Sequence, residues 1–420
     1  MMEEQQRAIL VGVNINNEPN FDYSMKELVN LAEACDVEVV GEIIQNLPRV
    51  HAGLYIGTGK VEEVADAVKD NDANVVIFND ELSPSQIRNL EEELACKVID
   101  RTILILHIFA ERAKTKEAQL QVEVAHLQYM MPRLIGLRAS LGRQSGGVGT
   151  KNKGAGEKQI ELDRRRIEEK VSMLNKELEE LVAHRKTQRK QRKKNEVPVV
   201  SLVGYTNAGK STVMNAMLDV HNLSEDKHVF EKDMLFATLE TSVRDIAMDD
   251  NKSFLLTDTV GFVSKLPHHL VKAFRSTLEE VAESDLLIHV VDYSNPNYEH
   301  LMDVTNETLK KIGVKDIPVI YAYNKSDLMD MNIPTIQNDR IYLSAKEQIG
   351  ISELVQLIRR EVFKDYIMCE MLIPYDQGQI VSHFSTHAKI HATEYEENGT
   401  KIKVECKMSD FKKYERYVVK

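Results

Sequence analysis

The chain is 420 residues long, room for about three domains at roughly 150 residues each, and 43% of it is apolar, so it can bury several cores. Its 54 Lys/Arg against 66 Asp/Glu leave a formal charge of −12, which taken whole argues against a nucleic-acid partner, because phosphate backbones call for clustered cations. Cys35, Cys96, Cys369 and Cys406 are scattered without close pair spacing, excluding a zinc pattern and a disulfide framework. No apolar run approaches the roughly 18 residues of a membrane span, so no integral membrane segment is expected. The start MMEEQQRAILVGVN is acidic before it is apolar, the reverse of a secretory signal. A cytoplasmic chain, monomeric in solution, is the expectation.

From Ala8 to Thr102, short apolar runs alternate with amphipathic stretches. Ala8–Val13, Val37–Ile44, Leu54–Ile56, Asn74–Phe78 and Lys97–Ile99 read as strands, and Met25–Ala34, Val61–Lys69 and Ser83–Leu94 as helices. Ser83-Pro84 supplies a cap residue and a proline at the first helical position. Strand–helix alternation predicts a parallel α/β sheet.

The period then changes. Leu120, Val124, Leu127 and Met131 form one helical seam, and Ile167, Val171, Leu174, Leu178 and Leu181 a second. Between them, 7 of the 19 glycines fall within Gly136–Gly156. The simplest arrangement is an antiparallel helical hairpin with a glycine-rich tip, followed by the basic run HRKTQRKQRKKNE as a hinge or linker.

From Val197 to about Lys364 the α/β alternation resumes, with strands at Pro198–Gly204, Ser253–Asp258, Leu286–Asp292, Val319–Asn324 and Arg340–Ser344 and a closing helix at Ile351–Val362. Alternating runs at Ala388–Tyr395 and Lys401–Cys406 around EENGT read as a small α+β tail. The expected architecture is a multidomain α/β protein. It comprises an N-terminal parallel α/β domain (1–110), a helical hairpin with a basic tip (111–195), a phosphate-loop domain (196–365) and a C-terminal α+β domain (366–420).

The chemistry gathers in the third part. After VPVVSLVG comes Gly204-Tyr205-Thr206-Asn207-Ala208-Gly209-Lys210-Ser211, the phosphate-loop pattern GxxxxGK[ST] in its strand–loop–helix context. Glycines let backbone N–H groups converge on phosphates, and the helix N-terminus adds partial positive charge. Lys210 would reach the outer phosphates, and Ser211 would give its hydroxyl oxygen to Mg²⁺. A chance match on a βα turn is the bland alternative, and the companion motifs reduce it. Asp258-Thr259-Val260-Gly261 follows a second apolar strand, placing an acid where it can hold Mg²⁺ through water and a glycine whose N–H can approach the γ-phosphate. Asn324-Lys325-Ser326-Asp327 follows VIYAY, and Ser344-Ala345-Lys346 follows RIYL. These match the guanine-recognition elements of translation-factor and Ras-like GTPases, in order and on strand ends. Asp327 can accept from guanine N1–H and N2–H₂, donors that adenine does not present in that arrangement.

The remaining Mg²⁺ ligand from a mobile loop is sought in Leu235-Phe236-Ala237-Thr238-Leu239-Glu240, with Thr238 the candidate and Thr241 its competitor; two threonines of an edge strand are the plain alternative. The usual Gln after DxxG is replaced by Phe262, which can neither donate nor accept, so intrinsic turnover of about 10⁻⁴ to 10⁻² s⁻¹ is expected and the catalytic group is left open. Asn207 is a candidate K⁺ ligand, or simply stabilises its own turn.

LFATLETSVRD, LLTDTVGFVSKLPHHLVKAFRSTLEEV, YIGTGKVEEV, RAKTKEAQLQVEVAHLQYMMPRL and LGRQSGGVGTKNKGAGEKQIELDRRRI resemble the HflX family of GTPases, over nearly the whole chain. The resemblance implies a cytoplasmic, Mg²⁺-dependent GTPase that binds the large ribosomal subunit and splits stalled or idle ribosomes. It also implies that Thr238 takes the switch-threonine role, and that the N-terminal domain and hairpin approach ribosomal RNA. Glu240-Thr241-Ser242 stands where the family would have an Asp followed by Pro or Thr. A ribosome-assembly GTPase and a nucleotide-gated binding module with negligible hydrolysis are the alternatives.

The net charge of −12 hides an uneven distribution. Between Arg133 and Lys194, 18 Lys/Arg face 8 Asp/Glu, a surplus of ten. Such a run is ordinarily a solvated face, and a glycine-rich loop ordinarily a linker. Arg138, Arg143, Lys151, Lys153 and Lys158 interleaved with glycines between two helical arms suit close approach to RNA phosphates. Gly57-Thr58-Gly59-Lys60 invites a second nucleotide site, but lacks the four residues before GK and reads first as a tight βα turn. His268 and His269 have no accompanying ligands and read as solvent-exposed.

Overall fold

The computed structural model describes residues 5–144, 153–194, 197–220, 236, 242–248, 252–267, 270 and 280–419; over 134–144, 153–160 and 184–194 the helical backbone alone is described. The chain divides into two compact units, Met1–Arg189 with Lys232–Glu240 and Gly261–Ser276, and Lys190–Glu231 with Thr241–Val260 and Thr277–Lys420.

In the first unit, β1 (Arg7–Ile15), β2 (Glu38–Leu47), β3 (Val75–Phe78) and β4 (Lys97–Asp100) form a parallel sheet in the order β2-β1-β3-β4. The central run AILVGV of β1 is buried throughout, as expected of a parallel strand covered on both faces. One face packs Val11, Val76 and Phe78 against Val61 and Val64 of α2 (Thr58–Asp70) and Leu90 of α3 (Pro84–Leu94). The predicted cap on α3 is a full capping box: Ser83 Oγ accepts from Gln86 N at 3.3 Å, and Ser83 N–H donates to Gln86 Oε1 at 2.9 Å. Ahead of β2 lies α1 (Phe21–Glu33).

Two segments depart from expectation. Leu54–Ile56 is not a strand. His51 Nδ1 accepts from the N–H groups of Gly53 and Leu54 (3.3 and 3.2 Å), curling the chain into a turn closed by a single bridge between His51 and Tyr55. And the stretch past Thr102, to which the pattern assigns no element, is helical: Arg101–Arg112 is a helix, α4, capped by Asp100, whose carboxylate accepts from Ile103 N–H. Its run TILILHIF is buried almost all round, so it carries no 3.6-residue periodicity to read.

The helical hairpin consists of α5 (Lys116–Gln144) and α6 (Lys153–Lys194). Leu120 and Val124 pack on Leu174, with Leu127, Val171, Leu178 and Leu181 around them. Lys116 pairs with Glu177 at 3.1 Å and Glu123 with Lys170 at 2.5 Å, so the helices run antiparallel, as the two seams predict. The glycine-rich tip is shorter than its composition suggests, because helical backbone continues through Gly136 and Gly142 to Gln144 and resumes at Lys153. The basic run after Ala183 is helical to Lys194 rather than a linker; its Lys and Arg are good helix formers.

The second unit holds a seven-stranded sheet, ordered β10-β11-β9-β8-β5-β7-β6: β5 Val199–Val203, β6 Ser242–Ala247, β7 Ser253–Asp258, β8 Leu286–Asp292, β9 Val319–Asn324, β10 Thr335–Gln337 and β11 Arg340–Tyr342. Its inner five strands are parallel, and the edge strands β6 and β10 pair antiparallel. Val200, Leu202, Ile288, Val290 and Ile320 pack on α7 (Lys210–Val220) and α9 (Ile351–Val362); α8 (Tyr298–Ile312) lies between β8 and β9 in sequence. The tail is an antiparallel sheet of β12 (Tyr366–Ile373), β14 (Gly399–Lys407) and β13 (Lys389–Glu396), with α10 (Gly378–His387) and α11 (Met408–Lys413). β13 and β14 meet around Glu397-Asn398, the turn read from EENGT.

Candidate functional site

β5 delivers the chain into Gly204, whose φ of +149° and close neighbour exclude any side chain: a Cβ there would lie 2.3 Å from the carbonyl oxygen of Val290. Gly209, at φ +89°, is equally obligatory, since its Cβ would meet Asn324 Nδ2 at 2.3 Å. Between them Tyr205, Thr206 and Ala208 are buried, and Asn207 is exposed in the left-handed conformation.

Lys210 is buried, its ammonium donating to the carbonyls of Tyr205 at 2.9 Å and Gly204 at 3.2 Å. Burial pulls its pKa down from 10.5 to about 8, against the opposing pull of the Asp258 carboxylate. A cation held only by carbonyl dipoles is poised to exchange them for anionic oxygens. Ser211, next along α7, donates its hydroxyl to Asp258 Oδ2 at 2.6 Å. Two hard oxygens, one from the first turn of α7 and one from the end of β7, with the carboxylate fully buried, form a donor set suited to Mg²⁺, which takes few protein ligands besides substrate phosphates. Thr259 is turned away, donating to Leu202 O at 2.6 Å, and Val260 is buried.

Asn324, at the end of β9, joins motifs far apart in sequence. Its Nδ2 donates to Ala208 O, and its Oδ1 accepts from Ala345 N–H, both at 3.0 Å. One side chain thereby ties the phosphate loop to the Ser344-Ala345-Lys346 loop. Lys325 takes a positive φ and pairs with Asp292 at 2.8 Å, which also accepts from Ser294. Ser326 is buried with its hydroxyl on Tyr323 O, leaving Asp327 exposed at the start of a 3-10 turn. Ser344 and Ala345 are buried and Lys346 exposed. The structure therefore brings together the phosphate loop, Asp258, Asn324 and Ala345.

Other named residues fall elsewhere. Phe236 packs edge-to-face on Phe109 at 4.6 Å in the first unit, where Phe262 is buried as well. Ala237, Thr238, Leu239, Glu240, Thr241, His268, His269 and Lys151 lie outside the described residues, and Arg138, Arg143, Lys153 and Lys158 are described by backbone alone. Gly57 caps α2, with Thr58, Gly59 and Lys60 in its first turn and Lys60 paired to Glu63; no strand runs directly into it, so the strand–loop–helix context of a phosphate loop is absent there.

Three features escaped the motifs. Arg101, fully buried, is paired with Glu27 and donates to Asn79 Oδ1 at 3.0 Å. Ser264, three residues past Gly261, donates to Glu27 and accepts from Arg101, while Lys265 pairs with Asp80 at 2.6 Å. His289, on β8 beside Val203, is buried, and its pKa falls to about 4, first through burial and then through the Lys210 charge. An acid such as Asp292 at a strand end is a readable signal; a charged pair distant in sequence is not.

Three family models match consecutive stretches of the chain: a GTP-binding GTPase N-terminal region over 22–110, a GTP-binding GTPase middle region over 112–192 and a 50S ribosome-binding GTPase over 199–325. GTPase HflX of Caldanaerobacter subterraneus subsp. tengcongensis is 43% identical over 405 residues, 96% of this chain and 92% of that one. The chain belongs to the HflX family of GTPases. GTPase HflX of Lacrimispora saccharolytica is 42% identical, covering 95% of this chain and 93% of its own; that of Escherichia coli K12 is 37% identical, covering 94% and 92%. This HflX-family chain is a P-loop GTPase, of a class that generally uses Mg²⁺. Among its described residues, no helix is long and apolar enough to cross a membrane.

Proposed function

We propose that this GTPase binds the large ribosomal subunit in its GTP state, separates stalled or idle ribosomes, and hydrolyses GTP faster on the ribosome than alone. The observation that carries this reading is the likeness to HflX GTPases along nearly the whole chain, N-terminal and middle regions included. The basic tip, with Arg138, Arg143, Lys151, Lys153 and Lys158, then contacts ribosomal RNA through phosphates, and the protein works in the cytoplasm.

At the nucleotide, Lys210 exchanges its two carbonyls for β- and γ-phosphate oxygens, and the backbone N–H groups of 206–211 cradle the phosphates. Ser211, Thr238 from the preceding segment and, through water, Asp258 would hold Mg²⁺, which when bound would supply positive charge to the phosphates. Asn324 keeps the phosphate loop and the Ala345 loop in register, and Asp327 accepts from the guanine edge between Lys325 and Lys346. Phe262 offers no hydrogen bond to water, so turnover of the isolated protein should be slow.

Sedimentation of intact ribosomes with the protein and a non-hydrolysable GTP analogue tests the reading. Dissociation into subunits is expected, together with at least about a tenfold rise in GTP turnover on large subunits. Intact ribosomes and binding confined to precursor particles would replace it with an assembly role. Asn207 is proposed to hold K⁺ beside the phosphates; turnover should then be faster in KCl than in NaCl, and equal rates would remove the ion from the account.

A further inference from the structure

The phosphate loop holds a hydroxyl with nothing to bond. Thr206 is 7% exposed, and its Oγ1 is buried with no hydrogen-bond partner. Among the described residues it is the only hydroxyl in that condition. Others buried in the same unit are bonded: Ser201 to Thr257 and Ser284 at 2.6 Å each, Thr259 to Leu202 O, Ser326 to Tyr323 O and Thr305 to Leu301 O. A buried hydroxyl without a partner costs free energy that an isosteric valine would not. Such a group, inside a loop built to wrap a ligand, calls for a partner that arrives with the ligand.

Its position says which part of the ligand. The carbonyl that holds the Lys210 ammonium at 2.9 Å belongs to Tyr205, whose carbonyl carbon is bonded directly to the nitrogen of Thr206. The ammonium thus sits against the peptide group that leads into Thr206. Phe262, after the DxxG glycine, supplies neither donor nor acceptor, so the chemistry lacks its usual polar side chain there.

We propose that the Thr206 hydroxyl donates a hydrogen bond to a γ-phosphoryl oxygen of GTP and is a catalytic residue of hydrolysis; this rests on the reading that Lys210 engages the outer phosphates. In the reaction, water oxygen bonds to the γ-phosphorus as the bond to the β–γ bridging oxygen breaks. That electron pair leaves with GDP, and the water's proton ends on inorganic phosphate. Thr206 is neither acid nor base in this step. It gives a fixed dipole to the transferring group, a contribution that grows as charge redistributes over its oxygens.

The test compares the full-length chain with Thr206→Val, Thr206→Ala and Thr206→Ser, measuring single-turnover hydrolysis and the affinities for GDP and a GTP analogue. Val and Ala should slow hydrolysis by about tenfold or more, leave GDP affinity within about twofold, and weaken the GTP analogue more than GDP. Ser should recover most of the rate. Without nucleotide, Thr206→Val should melt a few degrees higher than the parent, and lose that advantage with the GTP analogue bound. Hydrolysis at the parental rate in Val, or equal losses of GDP and GTP binding, overturns the proposal. If Val does not fold, equal rates for Ala and Ser overturn it instead. Lys210→Ala separates the two levels: retained nucleotide binding there would undo the site reading itself, whereas normal Thr206→Val turnover with binding abolished in Lys210→Ala sinks only the role of Thr206.

Discussion

The chain contains one parallel sheet and one with a parallel centre and antiparallel edges, both with polar groups at their strand ends, and the two sets are partnered differently. At the ends of the N-terminal sheet, Arg101 is answered by Glu27, Asn79 and Ser264, and Asp100 by Tyr129 and Arg133. At the ends of the nucleotide-domain sheet, among the described residues, Lys210 bonds only to carbonyls, Asp327 faces solvent and Thr206 Oγ1 has no hydrogen-bond partner. Carboxyl ends of parallel strands are where such folds bind ligands. In the first sheet that crevice is filled by the protein's own side chains, including the segment that follows DTVG. In the second, the proposed function fills it with an incoming anion and base. Mutual pairing dominates the first set, whereas in the second it is confined to groups such as Ser211–Asp258 and Asn324, while Lys210 and Thr206 keep bonding capacity.

The contrast can be broken by mutation. The largest effect belongs to Asp327→Ala. A site built to bond the guanine edge rejects analogues by about 10⁴–10⁵, so the preference for GTP over ATP should collapse by about 10³ or more while the melting temperature stays put. Competition binding with both nucleotides measures it, and undiminished preference would move base recognition elsewhere. Arg101→Met should do the reverse. It removes the cation paired with Glu27, itself only 3% exposed, and breaking such a buried pair costs about 3–5 kcal/mol in denaturant unfolding of the N-terminal part. Nucleotide affinity should remain near that of the parent, and a parental unfolding curve would show that the pair is dispensable.

The smallest effect is a pH dependence. Lys210 titrates near 8 in the free protein rather than at 10.5. Its buried charge is therefore a full penalty to the nucleotide-free fold below pH 8, relieved as pH rises from 8 toward 10.5, where an unfolded chain would still hold the proton. Phosphates need the ammonium, so GTP affinity should fall by up to about tenfold per pH unit above pH 8. Calorimetry at pH 7, 8.5 and 9.5 follows this, and a flat profile would mean that the lysine keeps its proton.

Much of the nucleotide site was legible as text, because its glycines, Lys210, Ser211, Asp258 and Asn324-Lys325-Ser326-Asp327 each follow an apolar run that can only be a buried strand. The same held for the hairpin, whose Leu120–Val124 and Val171–Leu174 seams needed only the helical period. Legibility failed where a local competitor outweighed the pattern. His51 curled Leu54–Ile56 out of strand geometry, and continuous burial erased the period of α4. Composition misleads at Gly136–Gly156, where glycine density reads as loop although the backbone is helical to Gln144 and again from Lys153.

Sequence alone thus marked the groups proposed to bind phosphate, metal and guanine, and their order, since those follow from residue chemistry at strand ends. Tertiary structure decided how the groups are held. Asn324 bonds to Ala208 across 116 residues of chain, and Ser264 reaches Glu27 across 237. The lone hydroxyl of Thr206 is defined only by the partners that folding withholds from it. Such facts depend on strand order and burial, which bring distant residues to one crevice and remove the water that would otherwise satisfy them.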